Sequence, residues 1–227
     1  MTASRAPRTW TEPALGVSIF TSERIPRPHL ACPFRLIDTN DRFRRMGGNP
    51  HTMSASGKFC AGALLPGGRA ALTTASCVRA ARGRALRVTA ADGRSRIVAS
   101  ATLHPQYDSG TKLWDVAVLV LDGEALGGGC GLRASGEGEC VMRWRGGAVL
   151  GVKESTGRCA GVALEGAVCV RGGDGGCGGA GEAVMCGGRV SALVWGACGG
   201  TSVRGAGGVW VKSLVAQYKL QERVDHN

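Results

Sequence analysis

The chain has 227 residues, of which 44% are hydrophobic, and this suffices for one large all-β unit or for two small domains. Its 38 glycines follow no fixed period and are joined by only 8 prolines, which excludes a collagen-like fibre and argues against long helices. The formal net charge of +11 at pH 7 favours anionic partners.

Residues 1–45 are predicted to be a flexible leader, because they mix arginine, proline and polar residues without a period of 2 or 3.6. Within residues 1–30, the only apolar run is Ala14 to Phe20. It is interrupted by Gly16 and Ser18 and is too short and too polar for the core of a signal peptide. The sequence contains no segment that is predicted to span a membrane.

From Lys58 onward, short apolar runs are separated by glycine, aspartate and arginine clusters, which is typical of the strands of a barrel or sandwich. The runs are Cys60 to Leu65, Ala70 to Thr74, Ile97 to Leu103, Val116 to Leu121, Val190 to Trp195 and Val209 to Val211. Near the C-terminus, four apolar residues at i, i+3, i+4 and i+7 predict a helix that packs back on the body. They are Val211, Leu214, Val215 and Tyr218.

Ten cysteines are present, without the Cys-x-x-Cys and histidine spacing of a zinc ribbon or finger. The sequence therefore predicts disulfides rather than a metal site, and it predicts no cofactor. Disulfides indicate an extracellular or secretory compartment.

Several segments, in order, resemble the chymotrypsin-like serine proteases over roughly residues 44–224. Three carry most of the resemblance: FCAGALL at Phe59 to Leu65 resembles F-C-G-G-S-L-I, LTTASC at Leu72 to Cys77 resembles L-T-A-A-H-C, and DVAVLVL at Asp115 to Leu121 resembles D-I-A-L-L-x-L. Four weaker matches are His104 to Tyr107 with H-P-x-Y, Cys140 to Trp144 with C-x-V-A-G-W-G, Val194 to Cys198 with S-W-G-x-x-C, and Gly208 to Lys212 with G-V-Y-T-R.

The resemblance implies an all-β fold of two packed six-stranded antiparallel barrels in a domain over residues 46–227. The first barrel is expected over about 46–130, the second over about 131–212, and a C-terminal helix over about 213–224. In addition, Arg44 to Gly48 (RRMGG) resembles the activation sequence R-I-V-G-G that precedes the family's protease domain.

The resemblance also implies how the cysteines pair. The implied bridges are Cys60–Cys77, Cys140–Cys186 and Cys169–Cys198, together with Cys32–Cys130, which corresponds to the bridge that tethers the propeptide in chymotrypsinogen-like members. Cys159 resembles one half of a further family pair, and we assign it to Cys177.

A serine hydrolase of this type needs a base, a carboxylate that orients the base, and amides that hold the oxyanion. The resemblance places Ser76 at the histidine position, Asp115 at the aspartate position, and Gly175 of Gly173 to Gly176 (GDGG, resembling G-D-S-G) at the serine position. Because loss of the histidine or the serine alone costs about 10⁶ in turnover, we predict no proteolysis.

Two residues are alternative candidates for the missing nucleophile and the missing base. Cys177 as a nucleophile would need a neighbouring base, which Ser76 cannot supply, so a disulfide is the favoured interpretation. His104 as a replacement base is the second alternative, and a structural role is favoured for it.

The replacement pattern resembles that of azurocidin and of the arthropod serine protease homologues, which are inactive members of the family with roles in innate immunity. It implies an extracellular or granule-stored protein that binds heparin-like polysaccharide or a microbial surface. The first hypothesis is such binding through an arginine-rich face, for which a solvated loop is the alternative interpretation. The residues of this face are Arg79, Arg82, Arg84, Arg87, Arg94 and Arg96.

The second hypothesis is a regulatory cofactor or decoy that engages a protease or a protease inhibitor. An extended peptide would pair with the strand Val194, Trp195 and Gly196. A decayed protease without function is the third hypothesis. Nucleic acid is disfavoured as a partner, because no recognition motif or aromatic stacking pattern accompanies the charge.

Overall fold

The structure is a computed structural model that describes residues 33–38, 60–81, 83–133, 140–143, 149–156, 166–172, 179–196 and 199–225. Within these ranges it contains twelve strands and two helices. The first six strands and the first helix are β1 Pro33–Asp38, β2 Cys60–Leu64, β3 Ala70–Thr73, α1 Ala75–Ala80, β4 Leu86–Ala90, β5 Ser95–Leu103 and β6 Ala117–Leu121. The remaining elements are β7 Cys140–Arg143, β8 Val149–Thr156, β9 Ala167–Gly172, β10 Ala183–Cys186, β11 Arg189–Gly196, β12 Gly199–Ser202 and α2 Gly205–Asp225.

The strands form two closed antiparallel barrels, as the sequence predicts. The first has the order β1-β2-β3-β6-β5-β4 and closes where β4 pairs with β1, and the second has the order β10-β11-β12-β9-β8-β7 and closes where β7 pairs with β10. Strand β4 illustrates the local cause: Leu86, Val88 and Ala90 are buried whereas Arg87 and Thr89 are half-buried, which is the period of 2 of a strand with one face on a core.

One continuous apolar cluster joins the two barrels. It contains Leu72 and Val118 from the first barrel, Met185 and Leu193 from the second, and Val211 from α2. Each barrel also has an apolar cluster of its own. The candidate site lies at the joint between the barrels, so this shared cluster fixes the relative position of its two sides.

Strand β1 corrects the predicted leader, because Pro33–Asp38 belongs to the first barrel. It pairs with β2 and β4 and buries Leu36 to 3% exposure, so the first barrel includes residues 33–38, which were predicted to belong to the leader. The period of this strand was missed because only six residues carry it. The predicted activation sequence, Arg44 to Gly48, consequently follows a barrel strand in the chain instead of preceding the whole barrel.

Helix α2 corrects the second predicted boundary, since it begins at Gly205 and not near residue 213. The apolar run Val209 to Val211, predicted as a strand, is therefore helical, and β12 is the last strand of the second barrel among the described residues. The first turn approaches the backbone closely, because a Cβ on Gly207 would lie 2.8 Å from the carbonyl oxygen of Ser202. A residue with a side chain would push the helix away from β12.

The predicted helical face does pack on the body. Val211 is buried, Leu214 and Val215 pack against the shared cluster, and the Tyr218 hydroxyl is hydrogen-bonded to Thr102 Oγ1 of β5 at 3.0 Å. No helix among the described residues has the length and apolar character needed to cross a membrane.

Two of the implied disulfides lie within the described residues. Cys60–Cys77 joins β2 to α1, and Cys140–Cys186 joins β7 to β10, where these two cysteines are directly opposite each other. Cys130 and Cys169 are also disulfide-bonded. Their predicted partners, Cys32 and Cys198, and both members of the predicted pair Cys159–Cys177 lie outside the described residues, so those pairings remain predictions.

Candidate functional site

Ser76 and Asp115 are brought together by the pairing of β3 with β6. In this pair Thr73 lies opposite Ala117, and Ser76 follows β3 in the first turn of α1 while Asp115 lies two residues before the start of β6. The backbone amide of Ser76 donates a hydrogen bond to Asp115 Oδ1 at 2.7 Å. The structure therefore unites the two positions that the sequence predicted, but through a main-chain group rather than a catalytic base.

Asp115 is fully buried, and its two oxygens differ. Oδ1 accepts the Ser76 amide, whereas Oδ2 is buried without a hydrogen-bond partner among the described residues. Burial raises the pKa of Asp115, and the hydrogen bonds from Ser76 oppose that rise. The hydroxyl of Ser76 donates to Thr74 Oγ1 at 3.2 Å.

His104 is held by aromatic rings. Its ring stacks on Trp114 at 4.8 Å between centroids and 14° between planes, and it meets Trp210 edge-on at 4.7 Å. Nδ1 accepts a hydrogen bond from the backbone amide of Gln106 at 3.2 Å. Burial lowers the pKa of His104, which favours the neutral imidazole. These contacts support the structural interpretation of this residue over a role as a replacement base.

The predicted nucleophile position, Gly175, and the alternative nucleophile, Cys177, both lie outside the described residues. The segment 179–182 is described, and it is the part of the second barrel that reaches the first barrel beside β2. The amide of Ala61 donates to the carbonyl oxygen of Ala180 at 3.0 Å, and the Ala180 side chain packs against an apolar cluster that contains Cys77.

The sequence carries a signal for this close approach, which the predictions did not use. Gly179, Ala180 and Gly181 are small residues that precede the fully buried strand β10 with only Glu182 between. Gly181 has φ of +84°, and a Cβ there would collide with the carbonyl oxygen of Ala61. A short run of small residues before a buried strand indicates that another backbone approaches closely.

The strand proposed for peptide pairing is partly occupied within the chain. The amide of Val194 donates to the Glu182 carbonyl at 2.8 Å, and its carbonyl accepts from the Gly181 amide at 2.7 Å. A β-bulge lies between Val194 and Gly196, and the Trp195 ring packs directly on the backbone of Gly199. A partner strand could therefore not use the hydrogen-bonding groups of Val194.

Five of the six predicted arginines are described, and Arg82 lies outside the described residues. Arg94 forms an ion pair with Asp92 at 2.7 Å and Arg96 one with Glu124 at 3.7 Å. Hydrogen bonding from Arg94 lowers the pKa of Asp92. Other contacts involve neutral groups: the Arg79 guanidinium lies 5.9 Å from the centroid of the Tyr107 ring, Arg84 Nε donates to the Ala81 carbonyl at 3.0 Å, and Arg87 donates to Ser95 Oγ at 3.2 Å.

These arginines do not share one face of the first barrel. In the pairing of β4 with β5, Arg87 lies opposite Ile97 and Val88 lies opposite Arg96. Residues directly opposite each other share a face and successive residues alternate, so Arg87 and Arg96 are on opposite faces of the two strands. Ile97 is 45% exposed, which identifies the Arg87 face as the outer one.

Comparison with known proteins yields one family and a group of similar structures. The family model described as Trypsin matches residues 42–209. A solved structure of kallikrein-related peptidase 10 is 19% identical, covers 84% of this chain and 96% of that chain, and has a TM-score of 0.60. A structure of the same peptidase in complex with Zn²⁺ is 18% identical, with coverages of 84% and 98% and a TM-score of 0.62. No curated protein sequence matches.

Proposed function

Since this chain belongs to the trypsin family of serine proteases, we propose that it is a non-catalytic member that binds an anionic partner, either a sulfated polysaccharide or a microbial surface. One observation carries the proposal that the protein is non-catalytic. The Ser76 amide donates a hydrogen bond to Asp115 Oδ1, and Oδ2 is left without a partner among the described residues. The carboxylate that should orient a base has no imidazole to orient.

The loss of the base is sufficient to prevent turnover. Proteolysis of this type requires a group that accepts the proton of the nucleophile and returns it to the leaving amine. The hydroxyl of Ser76 cannot do so, because a neutral hydroxyl is a very weak base. The ring of His104 packs against Trp114 and Trp210, which supports a structural role for this residue. The nucleophile position predicted from the motif, Gly175, also lacks a hydroxyl group.

The charge distribution supports the proposal that the protein binds an anionic partner. The chain carries a net charge of +11, and Arg79 and Arg87 form no ion pair within the described part of the chain, in contrast to Arg94 and Arg96. An anion that binds Arg87 would not have to displace a carboxylate, and Arg79 is attracted to the Asp108 carboxylate without forming an ion pair with it. We therefore assign more of the binding to Arg79 and Arg87 than to the paired arginines, with Arg82 and Arg84 as further contributors.

Two double variants with the same loss of charge test this assignment. Arg79→Gln with Arg87→Gln and Arg94→Gln with Arg96→Gln each remove two positive charges, so their effects on long-range attraction are equal. We expect the first pair to elute from a heparin column at clearly lower salt than the parent and the second pair to elute close to it. Circular dichroism verifies that both variants are folded.

Equal shifts for the two pairs would mean that net charge alone drives retention, and would contradict a defined face. Replacing Arg79, Arg82, Arg84 and Arg87 together should nearly abolish retention, because exposed contacts are individually weak and screened by salt. Unchanged retention of that variant would contradict polyanion binding. A partner bound independently of salt would instead favour a regulatory homologue that engages a protease or inhibitor beyond Val194, through Trp195 and Gly196.

The proposed compartment is extracellular or a secretory granule. The described bridges Cys60–Cys77 and Cys140–Cys186 support it, because disulfides persist in oxidising compartments. Both sulfated polysaccharides and microbial surfaces are encountered there.

A further inference from the structure

The contacts of segment 179–182 bear on which residue replaced the nucleophile. We propose that Ala180, and not Gly175, stands opposite Ser76 at the position of the lost serine. This inference rests on the proposed function in one respect, namely that the native site is inert. It concerns the geometry of that site and is tested separately.

The first step is the attachment of Ala180 to β2. The carbonyl oxygen of Ala180 accepts the amide of Ala61 at 3.0 Å, and Gly181 lies so close to Ala61 that no side chain would fit there. The amide of Gly181 in turn donates to the Val194 carbonyl at 2.7 Å. The segment is thus hydrogen-bonded to the first barrel on one side and to β11 on the other.

The second step is the attachment of Ala61 to Ser76. Cys60 precedes Ala61 and forms a disulfide with Cys77, which follows Ser76, with 6.0 Å between their Cα atoms. The carbonyl oxygen of Ala61 also accepts the hydroxyl of Thr73 at 2.8 Å. Ala61 therefore lies beside the turn that carries Ser76, and Ala180 is bonded to Ala61.

The third step is the position of the Ala180 methyl group. This half-buried side chain packs against the cluster that contains Cys77, the neighbour of Ser76. Its methyl group therefore lies on the side of the segment that faces the first barrel, the barrel that carries Ser76.

The fourth step compares Ala180 with Gly175 in the sequence. The two residues lie five positions apart, so only one of them can be aligned with the serine of G-D-S-G. Ala180 also fits the motif frame: Gly178-Gly179-Ala180-Gly181 keeps glycine at both ends of G-D-S-G, with alanine in place of serine.

A pair of introduced side chains tests the distance directly. In Ser76→His with Ala180→Cys, the imidazole beside the thiol takes its proton, and the resulting thiolate displaces iodide from iodoacetamide to form a thioether. We expect the apparent pKa of the thiol at position 180 to be lower by about one unit or more than in Ala180→Cys alone. The rate of alkylation as a function of pH, followed by mass spectrometry of the peptide, gives both pKa values.

The matched control moves the thiol by five residues. Ser76→His with Gly175→Cys should show the same thiol pKa as Gly175→Cys alone. A lowered pKa at position 175, or an unchanged pKa at position 180, would overturn the inference. Mass measurement under non-reducing conditions verifies that the native disulfides are intact in every variant.

A second measurement avoids new thiols. In Ser76→His, the further change Ala180→Asp should raise the pKa of the introduced imidazole, measured by NMR titration, whereas Gly175→Asp should leave it unchanged. The opposite pattern would contradict the proposal. Failure of the proposed function looks different: the unaltered protein would then react with a fluorophosphonate probe, whichever residue stands opposite Ser76.

Discussion

Trp114 and Asp115 are neighbours in the chain, yet their surroundings differ sharply. Trp114 stacks on His104 at 4.8 Å, and a Cβ on Gly166 would lie 3.2 Å from its ring. Asp115 has one bonded oxygen and one buried oxygen without a partner among the described residues. Among the described residues, the Trp114 side of the joint between the barrels is closely packed, whereas the Asp115 side holds a buried oxygen without a partner.

This contrast predicts that the fold tolerates substitution at the candidate site. The shared apolar cluster and the two barrel clusters contain neither Ser76 nor Asp115. A buried oxygen without a partner costs about 1–3 kcal/mol, which a domain with three apolar clusters can tolerate. Substitution at the site can thus remove activity while the scaffold persists as a binding surface.

The largest effect on the free energy of unfolding is expected from Trp114→Ala. It removes a buried ring between two barrels and α2 and should lower the free energy of unfolding by about 3–5 kcal/mol. Asp115→Asn should change it by less than about 1 kcal/mol, because the amide oxygen can still accept the Ser76 amide and the buried charge is removed. Denaturant unfolding measures both, and a comparable loss in the two variants would erase the contrast.

A smaller effect is expected when the missing partner is restored. In Ser76→His, the imidazole can donate to Asp115 Oδ2, which should add about 1 kcal/mol to the free energy of unfolding. The pKa of this imidazole should lie above its usual value of about 6.5, since the carboxylate favours the charged form. NMR titration and denaturant unfolding measure the two quantities. Both gains should vanish when Asp115→Asn is added, and an imidazole pKa below the usual value would show that the two groups do not meet.

The smallest effect concerns the pH dependence of stability, to which His104 and Asp115 contribute with opposite signs. Burial lowers the pKa of His104 from 6.5, so its contribution to stability is complete above pH 6.5 and is lost as the pH falls through 6.5 towards the folded pKa. Burial raises the pKa of Asp115 from 3.8, so the folded state gains stability as the pH falls through the raised pKa towards 3.8.

Variants separate these two contributions. His104→Phe keeps an aromatic ring between the tryptophans and should remove the loss of stability below pH 6.5, where one group contributes at most about 1.4 kcal/mol per pH unit. Asp115→Asn should leave that loss in place and remove the gain at lower pH. Unfolding free energies measured across the acidic range test both, and an unaltered pH profile of His104→Phe would contradict the burial of a neutral imidazole.

The sequence predicted those parts of the fold that have strong local signals. The strands β2, β3 and β6 carry long apolar runs, and the resemblance identified Ser76, Asp115 and the bridges Cys60–Cys77 and Cys140–Cys186 through short motifs. Strand β1 was missed, because six residues next to a proline-rich segment carry too little periodicity. The start of α2 was misplaced because glycines disfavour a helix in isolation, whereas here they permit its close approach to β12.

Ala180 was missed for a different reason, although the small residues around it indicate a close approach of another backbone. Its position depends on a hydrogen bond to Ala61, a residue more than one hundred positions earlier in the chain. In the sequence it is one small residue within a glycine-rich run, and Asp174 offers a more conspicuous match to the family motif. The contacts between the two barrels distinguish Ala180 from Gly175 as the serine position.

The central claim is that this member of the trypsin family performs no catalysis, and active-site labelling tests it most directly. Purified protein with intact disulfides would be incubated with a fluorophosphonate probe, with trypsin as the positive control, and peptide-ester hydrolysis would be measured in parallel. We predict no labelling at any serine and no hydrolysis above the buffer rate. Stoichiometric labelling of one serine, lost on unfolding, would contradict the account.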